Sequence, residues 1–387
     1  MRIAFFVIGN SRRSNYLNGD TIRSGGAGAS GTDSSNILVA EFLASKGHEV
    51  VVCTENLEPL IEKDLTEKGI EKTCGEKVRG VIYTDTKFTN IDNKNFDFLI
   101  TQLWFENYES LDISVNKGII YWCHMQWIYG IDSIRNFAEK NNVPVGFVHI
   151  SEWEKSTNQS IVNVLKNQYG SGSVFDIIIP NPIMLDVIDE VREENIVKKN
   201  NKFIFHASWA RGGNVAFDYL KKSDIEDWEL HAFDYLMTIA NYDDDRFVLH
   251  NGVDKITLFR HLAESEYFLY PLYTPYQDVH KDTFSCVVAE AIALGCTPIT
   301  YPLGALPENF EGFCQWIDLP DGIDLNQIQS ESLTKDETGL FKNNDFILDI
   351  LNNLDTLDST TGGYDFIKQN FSIDVVGNSW DRFLKSF

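Results

Sequence analysis

The chain has 387 residues, enough for two domains that each bury a core of their own. Its composition, 43% hydrophobic and 13% aromatic, excludes a disordered chain. A formal net charge of -24 predicts a surface that repels nucleic acid and anionic membranes, so we expect no nucleic-acid partner, and a membrane contact only through the substrate.

The first half alternates strand and helix patterns. Its strands are continuous apolar runs, without the alternation typical of a sheet with one exposed face, so we expect a parallel sheet covered on both faces. With helices at 34–46 and 152–167, this pattern predicts a doubly wound α/β domain over residues 1–185. The predicted strands are 3–8, 49–53, 78–83, 96–100, 118–123, 145–150 and 175–179.

A domain junction is predicted after the last of these strands. Pro180 and Pro182 are followed by an acidic helical stretch and then by a polar run at 198–202. The α/β pattern then restarts and predicts a second domain over residues 186–365. Because such sheets bind ligands at the carboxyl ends of their strands, we expect the two domains to enclose a cleft. Its predicted strands are 203–206, 228–233, 246–250, 267–272, 297–301 and 313–317.

The end of the chain, residues 340–387, has helical patterns. Val376, Trp380, Phe383 and Phe387 recur at helical spacing, which predicts a final helix with one apolar face. The spacing leaves two placements open, because this helix could pack on its own domain or return to the first one.

Cysteine usage and apolar run lengths indicate a cytoplasmic protein without a membrane-spanning segment. No two cysteines form a C-x-x-C pair, so we expect reduced, packed thiols and no zinc site built from them. The apolar run near the N-terminus is too short for a signal peptide, and no run approaches the roughly 18 residues of a membrane helix. The six cysteines are Cys53, Cys74, Cys123, Cys286, Cys296 and Cys314.

The most informative stretch runs from Tyr270 to Glu308. It is predicted as the end of a strand (267–270), a polar loop, an apolar helix and a second strand after Gly295. Gly295 stands where a helix end favours a left-handed residue. If the helix begins near Asp282, then Asp282, Cys286 and Glu290 share one flank, with two carboxylates near a helix N-terminus that favours anions. The alternative is that Asp282 only caps the helix and Glu290 is a solvated helix residue.

This stretch resembles the donor-site signature of retaining glycosyltransferases with the GT-B fold, family 4 (group 1) in particular. In that signature, two acidic residues separated by seven positions precede a run like E-A-x-A-x-G-x-P. Asp282 stands at the first acidic position, which is usually Glu, and Glu290 stands at the second. Gly304, Ala305 and Glu308 are similar to the glycine pair and the acidic residue that follow.

The resemblance implies two Rossmann-like domains facing a central cleft, with a C-terminal helix, residues 366–387, that packs back on the first domain. It also implies a function. A hexose or related sugar would move from a UDP- or GDP-linked donor to a glycan or other hydroxyl acceptor. Transfer would retain the anomeric configuration and would need neither a metal nor any cofactor besides the donor.

The resemblance further implies roles for four catalytic candidates. Arg211, after the strand 203–206, would neutralise the departing diphosphate, although the first cation of the family's pair falls at His206. Asp282 would hold donor-sugar hydroxyls and Glu290 the ribose hydroxyls. His124, at the end of a strand, would meet the donor sugar or the acceptor.

Further candidates would bind the donor through phosphate, base or backbone contacts. The residues at the start of the predicted helix and Lys281 are placed toward the phosphates, and those near 252 toward the base. A glycine-rich turn would approach the donor or acceptor closely. The complete set is Ser208, Lys281, Thr283, Phe284, Ser285, Gly252, Val253, Leu258 and Gly28.

Other classes of protein stay open. Residues 26–31 match the G-x-G-x-x-G motif of NAD-dependent oxidoreductases. In that motif the glycines follow the first strand directly, whereas here a long polar segment at 9–24 separates them from it. The acidic run 243–245 could imitate a metal-binding D-x-D, although its position before a strand favours a solvated turn. A third alternative is a catalytically silent GT-B binding protein, since Asp282 replaces the usual Glu.

Overall fold

The chain forms two compact units, Met1–Met184 with Asn370–Phe387, and Leu185–Gln369. None of the helices in the described ranges has both the length and the apolar character needed to cross a bilayer. The computed structural model describes residues 1–7, 17–24, 29–54, 76–85, 87–88, 90–102, 111–128, 130–169, 174–234, 242–272, 281–318, 346–354 and 361–387.

The first unit is built around an eight-stranded sheet with the order β3-β4-β2-β1-β5-β6-β7-β8, parallel at every neighbouring pair except β3 and β4. The last five residues of β1 and the last six of β6 are all buried, so both faces of the sheet are covered, as the apolar runs predict. Its elements are β1 (Arg2–Val7), α1 (Thr21–Ser24), α2 (Gly31–Ser45), β2 (Glu49–Thr54), β3 (Lys77–Val78), β4 (Val81–Thr84), β5 (Asn95–Thr101), β6 (Ser114–Cys123), α3 (Ile131–Asn141), β7 (Val145–His149), α4 (Glu152–Tyr169) and β8 (Val174–Ile178).

One predicted strand of this unit is a hairpin. The run 78–83 divides into β3 and β4, which pair antiparallel across a turn at Arg79 and Gly80. Both turn residues have positive φ, 47° and 85°, as the tight turns of two-residue hairpins require. Apolar periodicity does not reveal φ, so the prediction of one continuous strand is wrong here.

The second unit has a six-stranded parallel sheet with the order β11-β10-β9-β12-β13-β14. Described helices lie between most of the successive strands, as expected of a doubly wound domain. Its elements are α5 (Leu185–Glu193), β9 (Lys199–His206), a short 3₁₀ helix (Trp209–Arg211), α6 (Gly213–Lys222), β10 (Glu229–Asp234), β11 (Phe247–Asn251), α7 (Lys255–Glu264), β12 (Ser265–Tyr270), α8 (Cys286–Ala293), β13 (Thr297–Thr300), α9 (Leu306–Phe310), β14 (Gln315–Trp316), α10 (Phe346–Leu351) and α11 (Gly363–Phe371).

The last helix, α12 (Ile373–Ser386), packs on α2 in the first unit. Ser372 caps it by accepting a hydrogen bond from the backbone N–H of Val375. The Trp380 ring lies 4.7 Å from that of Trp122, and Phe387 lies against Gly118 on β6. Of the two placements that helical spacing leaves open, the fold therefore adopts the return to the first unit.

Cysteine chemistry in the described residues agrees with the expectation of packed thiols. Cys53, Cys123, Cys286, Cys296 and Cys314 are free thiols, whereas Cys74 lies outside the described residues. Burial raises the pKa of Cys296 to about 12, which keeps this thiol protonated and unreactive at neutral pH.

Candidate active site

The centre of the candidate site lies at the carboxyl ends of β9 and β12 in the second unit. β9 leads into the 3₁₀ helix that carries Arg211, and the guanidinium of Arg211 pairs with the carboxylate of Asp282. β12 ends at Tyr270, whose hydroxyl donates to Asp282 Oδ2 over 3.0 Å and accepts from Arg211 Nη1 over 2.9 Å. The two predicted catalytic residues Arg211 and Asp282 are thus brought together, and Tyr270 joins them.

Asp282 lies four residues before α8, in a non-helical segment, so the prediction that the helix begins near Asp282 is wrong. α8 starts at Cys286, because Ser285 adopts a left-handed conformation with φ 74° that ends any helix on its N-terminal side. Asp282 therefore shares no helical flank with Cys286 and Glu290, and it is not a cap. It is held instead by the N–H of Ala305, which donates to the backbone oxygen of Asp282 over 2.7 Å.

Glu290 is buried and paired, contrary to the alternative of a solvated helix residue. It is 5% exposed on α8, and its Oε1 accepts from Lys255 Nζ over 2.6 Å. Lys255 is not among the residues predicted from the sequence, although an Asp at position 254 is typical of a helix N-cap. Asp254 caps α7 by accepting from the Thr257 N–H, which places Lys255 in the first turn, at the carboxyl edge of the sheet.

His206 cannot supply the first cation of the family's pair. Burial, followed by the charge of Lys255, lowers the pKa of His206 to about 3, so its ring is neutral at neutral pH. Two cations at this edge, Arg211 and Lys255, are each paired with one carboxylate.

Several buried polar atoms at this edge have no hydrogen-bond partner among the described residues. Leaving such an atom unsatisfied costs about 1–3 kcal/mol, so a group of them indicates a place where a polar ligand completes the hydrogen bonding. All belong to residues at the end of β9, the start of α6 or the region of α8. They are His206 Nδ1, Asn214 Oδ1, Ser285 Oγ and Glu290 Oε2.

The residues predicted to contact the donor phosphates differ in burial and in what their atoms already bind. The backbone oxygen of Ser208 accepts from the Arg211 N–H over 2.8 Å, which fixes the turn. Lys281 and Thr283, on either side of Asp282, are partly buried. Phe284 is 1% exposed and packs edge-on against Phe310, so its side chain belongs to the core and not to a ligand surface.

The residues predicted to contact the base lie in the turn after β11 and on α7. Gly252 turns the chain with φ 63°, Val253 is partly buried, and Leu258 is buried on α7. The acidic run before β11 forms a solvated turn, in which Asp244 binds the side chain of Arg246. Gly28 lies outside the described residues.

His124 belongs to the first unit, where it directly follows β6. It is 6% exposed, and its ring lies 4.7 Å from that of Trp122. Burial lowers the pKa of His124 to about 3. A neutral imidazole in this place can exchange hydrogen bonds with a hydroxyl group.

The GT-B fold consists of two α/β units with parallel sheets, in which the last helix of the chain completes the first unit. The chain has this fold, as its resemblance to the family implies. It resembles sucrose-phosphate synthase from Thermosynechococcus elongatus, with a TM-score of 0.56 and 12% identity over 100% of this chain and 98% of that one. For Anabaena HepE in complex with UDP-glucose, the TM-score is 0.54 at 12% identity, with both chains fully covered. The catalytic domain of starch synthase IV from Arabidopsis thaliana, bound to ADP and acarbose, gives 0.55 at 11% identity, covering 100% and 98%.

No protein-family model matches the chain, and no curated protein matches its sequence.

Proposed function

We propose that the chain is a glycosyltransferase that moves a hexose or related sugar from a UDP- or GDP-linked donor to a hydroxyl acceptor. The observation that carries this proposal is the pair of buried carboxylates, Asp282 and Glu290, each matched by a cation at the carboxyl edge of the second sheet. The glycosyltransferase neighbours, one holding UDP-glucose and another ADP, support it.

Arg211 is the group that would stabilise the departing diphosphate. Breaking the bond between sugar and phosphate places negative charge on the phosphate oxygens, so a cation aimed at them lowers the barrier. The side chain of Arg211 is 39% exposed although its partner carboxylate is 6% exposed. A phosphate can therefore reach the exposed part of the side chain of Arg211 while Asp282 holds the guanidinium in place.

The two carboxylates would divide the recognition of the donor. Asp282, fixed by Arg211 and Tyr270, would accept hydrogen bonds from hydroxyls of the donor sugar. Oε2 of Glu290 is buried without a partner among the described residues, and it would accept from a ribose hydroxyl while Lys255 holds Oε1. Because Arg211 and Lys255 supply positive charge, the proposed transfer needs no metal, and retention of the anomeric configuration is part of the proposal.

The first unit would bind the acceptor. His124 offers a neutral imidazole, and Trp127, three residues later, is 49% exposed. An exposed indole suits the apolar face of a sugar, and a neutral imidazole can bind a sugar hydroxyl.

The first test is a thermal-shift screen against UDP, GDP, their sugar conjugates and NAD, with and without EDTA. A nucleotide at a few hundred times its dissociation constant adds about 3 kcal/mol, which moves the melting temperature by several degrees. We expect one nucleotide family to stabilise the protein equally in both conditions. A shift with NAD alone would favour the oxidoreductase, and donor binding without turnover of any acceptor would favour a silent binding protein.

The second test is a pair of matched substitutions. Glu290→Gln keeps the shape but removes the charge, and we expect it to lower kcat/KM for the donor at least about tenfold, since a charged hydrogen bond contributes about 1.5–3 kcal/mol. Glu194→Gln makes the same change at a surface ion pair with Arg260 in the same unit and should leave kcat/KM unchanged. Equal activity of the two variants would contradict the assigned role of Glu290.

A further inference from the structure

Three histidines face one another in the second unit, on the side of the sheet that α7 covers. His231 lies on β10, His250 on β11 and His261 on α7. Because His231 pairs with Val248 and Phe233 pairs with His250, the two strand histidines are diagonal neighbours on one face. The three ring centroids are 4.6–5.1 Å apart, and one ring nitrogen from each histidine lies within 4.8 Å of the other two.

The hydrogen bonds around His231 turn a lone pair toward the centre of this cluster. His231 Nε2 donates to Glu229 Oε2 over 3.3 Å, so Nδ1 is the unprotonated nitrogen. It accepts from His250 Nε2 over 2.9 Å, and an ion bound between the two rings would take the place of that proton. Histidines that bind metals almost always donate their second ring N–H to a carboxylate or carbonyl, which fixes the tautomer. Glu229 is the carboxylate that accepts the second ring N–H of His231.

His261 is oriented in a similar way from the helix side. His261 Nδ1 lies 3.0 Å from Lys202 Nζ and 3.9 Å from Glu264 Oε2. For Nε2 to bind an ion, the ring proton must be on Nδ1, where it faces the carboxylate of Glu264. Binding therefore requires the ammonium of Lys202 to release Nδ1. Lys202 itself is 2% exposed and is held by Glu264, which also pairs with Lys199. The formal charges of Lys199 and Lys202 balance those of Glu229 and Glu264, and Lys202 is the charge that acts most strongly on the three rings.

We propose that His231, His250 and His261 form a binding site for one divalent transition-metal ion of the zinc class. Three neutral imidazoles favour Zn²⁺ and its neighbours, whereas Mg²⁺ and Ca²⁺ prefer oxygen ligands. A tetrahedral ion about 2.0–2.1 Å from each nitrogen needs ligand atoms about 3.3 Å apart, close to the 2.9 Å between His231 Nδ1 and His250 Nε2. Water would complete the coordination, and the ion would join β10, β11 and α7.

The test is a metal titration of the untagged protein after chelator treatment and dialysis. Co²⁺ serves as the first probe because a low-coordinate nitrogen site gives it strong visible absorption. We expect one Co²⁺ per chain, displaced by Zn²⁺ and not by Mg²⁺. Failure to bind one Co²⁺ or Zn²⁺ per chain would overturn the proposal, whatever the transferase activity proves to be.

Substitutions locate the ion. We expect His250→Asn and His261→Asn each to weaken Zn²⁺ binding at least about 100-fold, and Glu229→Gln, at a half-exposed orienting residue, to weaken it about 10- to 100-fold while leaving the fold intact. His48→Asn, at a histidine of the first unit that pairs with Asp381, is the matched control and should bind as the wild type does.

Unchanged affinity in both histidine variants would overturn the proposal, because the ion would then lie elsewhere. The other candidate among the described residues is the fully buried group of Cys123, His149 and Glu154 in the first unit. Loss of binding in Cys123→Ser, with binding kept in His261→Asn, would identify that group as the site and exclude the one proposed.

Discussion

The carboxylate of Asp282 depends on groups far away in the chain. Its side chain is held by Arg211 and Tyr270, and its backbone oxygen by the N–H of Ala305. Burial raises the pKa of Tyr270 well above its ordinary value, so this hydroxyl keeps its proton and serves as a donor to Asp282. The position of this one residue is therefore sensitive to substitutions in the loop that follows β13.

Gly304 offers the sharpest test at the scale of one residue. It has φ 65°, and a Cβ there would overlap the backbone oxygen and nitrogen of Asp282. We expect Gly304→Ala to lower the free energy of unfolding by about 2–4 kcal/mol, because about 1–2 kcal/mol of left-handed strain adds to the overlap. We also expect it to weaken donor binding at least about tenfold by displacing Asp282. Urea unfolding and donor titration measure the two effects.

Gly312→Ala is the matched control for this prediction. Gly312 has φ 83° and nothing within 4 Å of the added Cβ, so the variant carries the backbone strain without the overlap. We expect a loss of about 1–2 kcal/mol and unchanged donor binding. Equal effects of the two variants on donor binding would show that Gly304 does not position Asp282.

At the scale of elements, the first turn of α7 and the middle of α8 are joined by the ion pair between Lys255 and Glu290. The side chains are 13% and 6% exposed. Breaking such a buried pair leaves one charge unpaired in a poorly solvated place, whereas replacing both partners by apolar groups of similar size is often neutral.

A double-mutant cycle tests this pair. We expect Lys255→Met to lower the free energy of unfolding by about 3–5 kcal/mol, and the double variant with Glu290→Met to recover most of that loss. Urea unfolding measures each corner of the cycle. Lys94→Met, at a surface pair with Asp112 in the first unit, should cost at most about 1 kcal/mol. Additive effects of the two substitutions would contradict the coupling.

The return of α12 to the first unit allows a packing prediction. Trp380 is fully buried against Trp122, so we expect Trp380→Ala to destabilise the first unit by about 3–5 kcal/mol. Val375 lies on the same helix at 41% exposure, and Val375→Ala should change stability by no more than about 0.5 kcal/mol. Urea unfolding compares the two. Similar midpoints would mean that α12 contributes little to this core.

Neutral histidines in both units make the stability of the whole chain depend on pH. The pKa of His124 in one unit and of His206 in the other is about 3 in the folded chain and about 6.5 in the unfolded chain. Between these values the unfolded chain binds the extra proton, so stability is highest above pH 6.5 and is lost as the pH falls. Each histidine contributes a loss of about 2 kcal/mol between pH 7 and pH 5.

Substitution of each histidine tests how much it contributes to the pH dependence of stability. We expect His124→Gln and His206→Gln each to unfold with a shallower dependence on pH than the wild type, measured as the urea midpoint from pH 7 to pH 5. Val162→Ala, at a fully buried position without a titrating group, should lower the midpoint at every pH and leave the slope unchanged. A wild-type slope in both histidine variants would show that these rings do not remain neutral in the fold.

Much of the fold could be predicted because a parallel sheet covered on both faces requires continuous apolar runs. β1 and β6 are buried on both faces and appear in the sequence as such runs. The antiparallel turn at Arg79 and the left-handed Ser285 could not be predicted, because both residue types usually have negative φ. The predicted start of α8 near Asp282 is wrong for that reason, because the helix begins at Cys286.

Local patterns of apolar side chains specify the α/β class and the two sheets, because burial and strand formation depend on them, and the sequence also gives the residue types of the candidate site. Which side chains meet depends on the tertiary structure. Arg211 and Asp282 are 71 positions apart, Lys255 and Glu290 are 35 apart, and three separate elements supply the histidine cluster. Such pairings depend on the order in which strands join a sheet, and that order is set by packing across the whole domain, which no local pattern records.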